Sequence, residues 1–241
     1  MKRTVVAIFA IFLIVIVCIL PACDSSLKTD ETTAVKKTGA PSGNVTWDID
    51  NTVSIGGHPL TVLGAPEVIE IPGGKAVAFD GVGDGLLVDV HPLEGATAFT
   101  LEVIFRPDAD GLPEQRFFHL QEDNGQNRIL IETRLTGDGF WYLDTFIKSG
   151  DTDQTLAEKD KIHPVGEWYN ATLVFDGGEM RHYVNGVLET AATLPSFTPP
   201  EAGKTSIGVR INQVHWFKGA IRRARFTRMA LEPEAFLNPS P

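Results

Sequence analysis

Four runs in this 241-residue chain alternate apolar with polar side chains, and their polar positions carry groups that can grip a hydroxylated or charged ligand. Arg128 and Glu132 share one face of a run, with Arg134 continuing the register, and Tyr142 and Asp144 share a face of the next. Arg210 and Asn212 alternate with Val209 and Ile211, while Glu102 and Arg106 lie opposite Leu101, Val103 and Phe105. Forked guanidiniums bind carboxylate or sulfate bidentately, and aromatic rings stack on apolar faces. Laid out on one sheet, the eight side chains of Arg128, Glu132, Tyr142, Asp144, Arg210, Asn212, Glu102 and Arg106 could hold an acidic or a neutral sugar chain. The plainer alternative is a solvated face with cross-strand ion pairs, each worth little. Both readings stay open on the sequence alone.

Catalysis is less well served. Among six histidines none shows H-E-x-x-H or another metal-ligand spacing. There is no G-x-S-x-G, no phosphate-cradling G-x-x-x-x-G-K and no dinucleotide fingerprint. Glu102 with Glu132, or His182 with Tyr183, are the residues left to act as acid and base. The absent motifs favour binding over turnover.

The elements that must position these side chains read as strands. Phe99 to Arg106, Arg116 to Gln121, Arg128 to Thr133, Phe140 to Ile147, Trp168 to Phe175 and Met180 to Val184 are rich in β-branched and aromatic residues. Turn chemistry separates them, as in Asp123-Asn124-Gly125, Thr136-Gly137-Asp138-Gly139 and Asp176-Gly177-Gly178. Asn185-Gly186, between Tyr183-Val184 and Val187-Leu188, predicts a two-residue type I′ hairpin, which needs positive φ twice. A helical turn or two is expected only near Glu232 to Leu237. Many short strands and no internal repeat predict an all-β domain over residues 45–241, an antiparallel two-sheet sandwich.

The N-terminus carries an address. Lys2 and Arg3 precede an unbroken apolar run from Val5 to Leu20, which ends in Leu20-Pro21-Ala22-Cys23. A basic start, an apolar stretch and small residues before a break make a secretory signal over residues 1–22. The Leu-x-Ala-Cys end resembles the bacterial lipobox, which implies a mature chain beginning at a lipidated Cys23. A plain membrane anchor is the alternative, since the run is almost long enough to span. Residues 23–44 contain Ser, Thr, Lys, Asp, Gly and Pro and almost nothing apolar, as expected of a flexible tether. By resemblance to enterobacterial sorting, Asp24 implies the periplasmic face of the inner membrane. Either reading places the domain in the cell envelope, outside the cytoplasmic membrane.

Loss of residues 1–22 removes Cys18, so no internal disulfide and no cysteine metal site can form. Net charge is −10 over the whole chain and more negative once Lys2 and Arg3 leave. That balance argues against nucleic acid and against direct adsorption to anionic lipid, leaving the lipid as the membrane contact.

Several segments together resemble the laminin-G-like, concanavalin-A-like jelly-roll domains. Ala76-Val77-Ala78-Phe79-Asp80-Gly81 followed by Asp84 is similar to that family's G-A-L-x-F-D-G-x-x-D opening. Phe99-Thr100-Leu101-Glu102-Val103 matches its F-T-L-E-x-W strand, and Glu167 to Gly177 its W-x-H-V-A-x-x-Y-D-G. Arg181 to Gly186 matches x-L-Y-V-N-G, and Ser206-Ile207-Gly208 with Phe217 to Ile221 closes the series. The resemblance implies two packed antiparallel sheets, often with a glycan-binding concave face; with the catalytic motifs absent, the leading expectation is a lectin-like, non-catalytic module taking a glycan or envelope polysaccharide. A protein-interaction or adhesion module is the alternative partner class, and a polysaccharide hydrolase or lyase a third. The family's β-glucanases carry E-x-D-x-x-E on one strand, which this chain lacks. Gln213 to Gly219 echoes two alginate-lyase motifs, but fused into one segment that could not keep their geometry. The resemblance also implies a structural calcium ion. Its usual strand G-x-I-D-E-V-R reads here Gly219-Ala220-Ile221-Arg222-Arg223-Ala224-Arg225, however, and a guanidinium cannot ligate a cation. No cofactor and no metal site is therefore expected, with Asp80 and Asp84 read as a polar turn.

Overall fold

The computed structural model describes residues 43–239, in which the alternating runs form seventeen strands. The first six are β1 (Val45–Asp48), β2 (Ser54–Ile55), β3 (His58–Leu63), β4 (Glu67–Ile71), β5 (Gly74–Asp80) and β6 (Gly85–Val88). Then come β7 (Phe99–Pro107), β8 (Glu114–Glu122), β9 (Arg128–Leu135), β10 (Phe140–Ser149), β11 (Thr152–Ala157) and β12 (His163–Pro164). The last are β13 (Tyr169–Phe175), β14 (Glu179–Val184), β15 (Val187–Thr193), β16 (Gly203–Ile207) and β17 (Lys218–Thr227). A 3-10 turn at Pro233–Ala235 stands where the short helical piece was expected. The leader, Cys23 and all but the end of the expected tether lie outside the described residues.

The strands pair antiparallel into two sheets. One runs β15-β14-β13-β7-β17-β5-β4 with β1 added to β17. The other runs β11-β10-β9-β8-β16-β6-β3-β2 with β12 added to β10. The chain is thus the expected all-β sandwich. Its core is aromatic and joins the sheets: Phe105 of β7 stacks on Phe117 of β8 at 4.3 Å and meets Trp141 of β10 edge-on at 5.2 Å. Phe217 packs on both phenylalanines at 6.2 and 5.3 Å. Such pairs add about 0.5–1.5 kcal/mol each beyond the area they bury.

The outer faces of the two sheets have different fates. The C-terminal segment 228–238 crosses the outer face of the eight-stranded sheet. Thr100 Oγ1 donates to Met229 O and accepts from Leu231 N–H, both at 2.9 Å. Asn170 Nδ2 donates to Leu237 O at 2.7 Å, and Phe236 packs edge-on against Tyr183. β13 is consequently buried on both faces. This overturns the expectation for Glu102, which is wholly buried instead of facing a ligand. Its carboxylate accepts Leu237 N–H at 2.6 Å and Arg225 Nε–H, so it fastens the crossing segment.

The Asn185-Gly186 hairpin has the expected geometry, with φ +50° and +78° and Val184 paired to Val187. A Cβ at Gly186 would meet nothing within 4 Å, so the whole cost of a side chain there is backbone strain. Gly186→Val should lower stability by roughly 1–3 kcal/mol, because a β-branched residue resists positive φ. Gly186→Asn should lose far less. Equal denaturation midpoints for wild type and the valine variant would contradict the turn.

Candidate functional site

The outer face of the nine-stranded sheet is not sealed. An open cleft of about 240 Å³ lies there, lined by Arg116, Arg128, Leu130, Glu132, Arg134, Asp144, Phe146, Thr155 and Arg210. Four of the eight expected ligand residues, Arg128, Glu132, Asp144 and Arg210, meet in it. Tyr142 shares the outer face of β10 with Asp144 and Phe146, opposite Arg134 of β9. Asn212 does not reach the cleft, because residues 208–217 form a loop instead of the expected strand, and it is exposed there. Glu102 and Arg106 belong to the other sheet, where Arg106 pairs with Asp108 and lies over the Trp168 ring at 5.7 Å. The eight residues therefore never form one surface.

Arg116 and Arg134 complete the cleft. Strict alternation along Arg116-Phe117-Phe118-His119 sets Arg116 and His119 on opposite faces. The register of β8 shifts between Arg116 and Phe118, which lets both phenylalanines enter the core and brings Arg116 and His119 to the same side. Two adjacent buried aromatics were the available signal.

The charges form a network. Arg116 Nε donates to Glu132 Oε1 at 2.9 Å. Arg134 Nη2 lies 3.2 Å from Glu132 Oε2 and 2.8 Å from Asp144 Oδ2, and Nη1 pairs with Glu114. Burial, reinforced by Asp144, pushes the Glu132 carboxyl up to about 7 against the pull of Arg116. Burial likewise raises Asp144, opposed by Arg134. Sharing one guanidinium nitrogen, the two carboxylates make an ion-pair cluster; the acid and base of a glycosidase must flank the scissile bond. The other acid–base pairings also dissolve. Glu102 and Glu132 lie on different sheets, and His182 faces Thr145 Oγ1 at 3.0 Å between the sheets while Tyr183 points to the opposite side.

Asp80 and Asp84 are occupied by the backbone. Asp80 Oδ1 accepts N–H bonds from Val82, Gly83 and Asp84 at 2.8–3.0 Å. Asp84 accepts from Ala65 and Asp80 at 2.7 and 3.2 Å. Ca²⁺ takes six to eight oxygens, and three of the four oxygens here already accept backbone N–H bonds. Among the described residues no group of three or more His, Cys, Asp or Glu is arranged for a metal. Arg222 Nη2 donates to Gly73 O at 3.1 Å, four positions along β17 from Lys218, the partner of Asp80.

The loop that carries Arg210 is held from below. His119 Nδ1 accepts Ile211 N–H at 3.1 Å, Arg116 N–H donates to His215 O at 2.9 Å, and His215 Nδ1 lies 3.2 Å from Glu114. Gln213 and His215 take positive φ of 59° and 58°, a strained choice for non-glycine residues. Burial, then Arg210, Arg128 and Arg116, pushes His119 down to about 3. Between about 3 and 6.5 the unfolded chain therefore binds a proton that the native chain refuses, and stability falls as pH drops through that window. Glu132 works in the opposite sense, contributing stability that is lost as pH rises from about 4.5 to 7. His119→Asn, whose Oδ1 can still accept from Ile211, should flatten the acid side of the melting-temperature profile. Superimposable profiles would remove His119 from the balance.

A family model described as the concanavalin A-like lectin/glucanases superfamily matches residues 80–235. Curated proteins give no match in sequence. Among solved structures, domain 4 of AbnA, an extracellular GH43 arabinanase from Geobacillus stearothermophilus in complex with arabinotriose, superposes with a TM-score of 0.60 at 20% identity, covering 80% of this chain and 95% of that one. The binding domain of Paraclostridial Mosquitocidal Protein 1 gives 0.62 at 12% identity, over 80% of this chain and 50% of that one. The binding domain of Botulinum Neurotoxin DC in complex with SialylT gives 0.58 at 14% identity, over 79% and 49%. The chain thus spans about half the length of the two toxin domains. At these identities the neighbours speak for the sandwich alone, and the family model covers the strands that carry the arginine cleft and most of those that build the core. By that match the chain belongs to the concanavalin A-like lectin/glucanases superfamily.

Proposed function

We propose that this protein is a non-catalytic carbohydrate-binding module whose ligand lies in the cleft of the nine-stranded sheet. The observation that carries the reading is that this outer face is left open, while the C-terminal segment covers the other. Tyr142, Asp144 and Phe146 line one file of β10, spanning about 13 Å at the rise of a strand. That offers ring faces and hydrogen-bonding groups along a length greater than one sugar. The arabinanase domain holds arabinotriose and the neurotoxin domain holds SialylT, and both support the same use of the fold. No metal takes part in this reading.

A glycan array probed with the full-length chain tests the class of ligand, and two substitutions test its place. Tyr142→Ala should weaken binding through lost stacking. Thr155→Trp, on the cleft wall, should block it by about tenfold or more. Melting temperatures should hardly move, since surface positions contribute little to stability. Glycan binding unchanged by both variants would move the site elsewhere. No glycan binding at all would leave the β14–β15 hairpin, with Val187 and Leu188 exposed, as the surface to test for a protein partner.

The same proposal places the module in the bacterial cell envelope, held by lipid on Cys23 through the 23–44 tether. A single acyl chain binds membranes only marginally and stable anchoring takes two signals, so the attachment rests on multiple acylation at that cysteine. Cys23→Ser should therefore release the chain from the membrane fraction or leave it with residues 1–22 attached. Normal processing with unchanged membrane partitioning would refute the lipid anchor.

A further inference from the structure

Hydrogen-bond accounting in the cleft leaves a specific remainder. Arg134 is fully engaged by Glu114, Glu132 and Asp144. Arg116, with a side chain only 14% exposed, gives Nε to Glu132, and its buried Nη1 has no partner. Arg128 donates Nη1 to Gln126 O at 2.9 Å and lies over the Phe146 ring at 4.9 Å, yet its Nε is buried without a partner. The Arg210 side chain has no hydrogen-bond or ion-pair partner among the described residues. Asp153 acts on Arg128 through space but makes no ion pair with it. Four guanidiniums line the cleft against two carboxylates, and these two, with Glu114 beside them, are taken by Arg116 and Arg134.

Resting on the carbohydrate-binding reading above, we infer that the sugar ligand is anionic, with a carboxylate or sulfate group seated between Arg128 and Arg210 and reached by Arg116 Nη1. A planar guanidinium presents paired N–H donors that match two oxygens of such a group. The hydroxyls of a neutral sugar can accept from these donors, but they bring no charge to set against Arg128 and Arg210, neither of which has an ion pair, and a charge-assisted hydrogen bond is roughly twice as strong as a neutral one. The arrangement is held ready without a ligand. Arg128 opens β9, whereas Arg210 comes from the 208–217 loop, which is pinned by His119 and Glu114 and carries two strained residues. Burial first, and then Arg116, pull Arg128 and Arg210 below their ordinary range, with Arg128 adding to the effect on Arg210, while Glu132 opposes both and Asp153 opposes the shift of Arg128. The chain is acidic overall, at −10, so a polyanion gains nothing from the wider surface and must be recognised in the cleft itself.

Matched polymers read this directly on the full-length chain by calorimetry or affinity electrophoresis. Polygalacturonate is compared with its methyl ester, and dextran sulfate with dextran, which separates carboxylate from sulfate as the preferred group. Poly-glutamate controls for charge without sugar. The charged member of at least one pair should bind about 10- to 100-fold tighter than its neutral partner, the range for losing a charged hydrogen bond. Arg128→Ala and Arg210→Ala should each remove about tenfold of that preference with little change in melting temperature. Neutral polymers bound as tightly as charged ones, or a preference untouched by both variants, would overturn the anionic assignment and leave carbohydrate binding standing. Poly-glutamate bound as tightly as the charged glycans would reduce the cleft to a charge trap and overturn the assignment too. Absence of binding to every charged and neutral glycan would defeat both readings together.

Discussion

Two consecutive phenylalanines set the register on which the cleft depends. Phe117 and Phe118 are both fully buried, although neighbours on a strand point to opposite faces. The register shift between Arg116 and Phe118 reconciles these facts by adding a residue to β8. Phe117 then reaches Phe105 across the sandwich, Phe118 reaches Phe226, and everything polar beside them is displaced to the outside. Arg116 lands opposite Glu132 and His119 opposite Leu130, which gives the cleft one wall and the loop above it an anchor. The apolar demand of the core thereby decides where the charges go.

The two sheets show why polarity on a strand does not by itself define a surface. Glu102 and Glu132 occupy equivalent-looking positions in the sequence, each flanked by apolar residues on the preceding side. Both are buried, for different reasons: Glu102 lies beneath a segment more than a hundred residues away, and Glu132 beneath its own arginines. Alternation correctly marks both as pointing away from the core. It holds no information about what covers the outer face, because a covering segment such as 228–238 is recruited by tertiary contacts of Thr100, Asn170 and Arg225.

The legible parts of this chain are those governed by local rules. Turn chemistry marks the Asn185-Gly186 hairpin, and period-two runs mark β7, β9, β10 and β13 to within a few residues. The family motifs, spaced in order, mark the sandwich. In the site, Arg128, Glu132 and Asp144 are readable because β9 and β10 are regular and in simple register. Arg116 is hidden by a bulge, and the 208–217 segment mimics a strand because Val209, Arg210, Ile211 and Asn212 alternate by accident within a loop. Its true conformation requires positive φ at Gln213 and His215, which nothing in those residue types announces.

That loop also shows how the protein holds like charges together. Left free, Arg210 would swing away from Arg116 and Arg128, since each guanidinium makes the others harder to keep charged and buried. The loop denies it that escape. A buried neutral imidazole takes the Ile211 N–H, and two strained residues close the turn that follows. The native state thus carries both backbone strain and uncompensated charge at one place, offset by the aromatic core beneath. Strain and unpaired donors concentrated where the sheet is open suit the proposed binding site, because the cost of assembling it would already be met in folding.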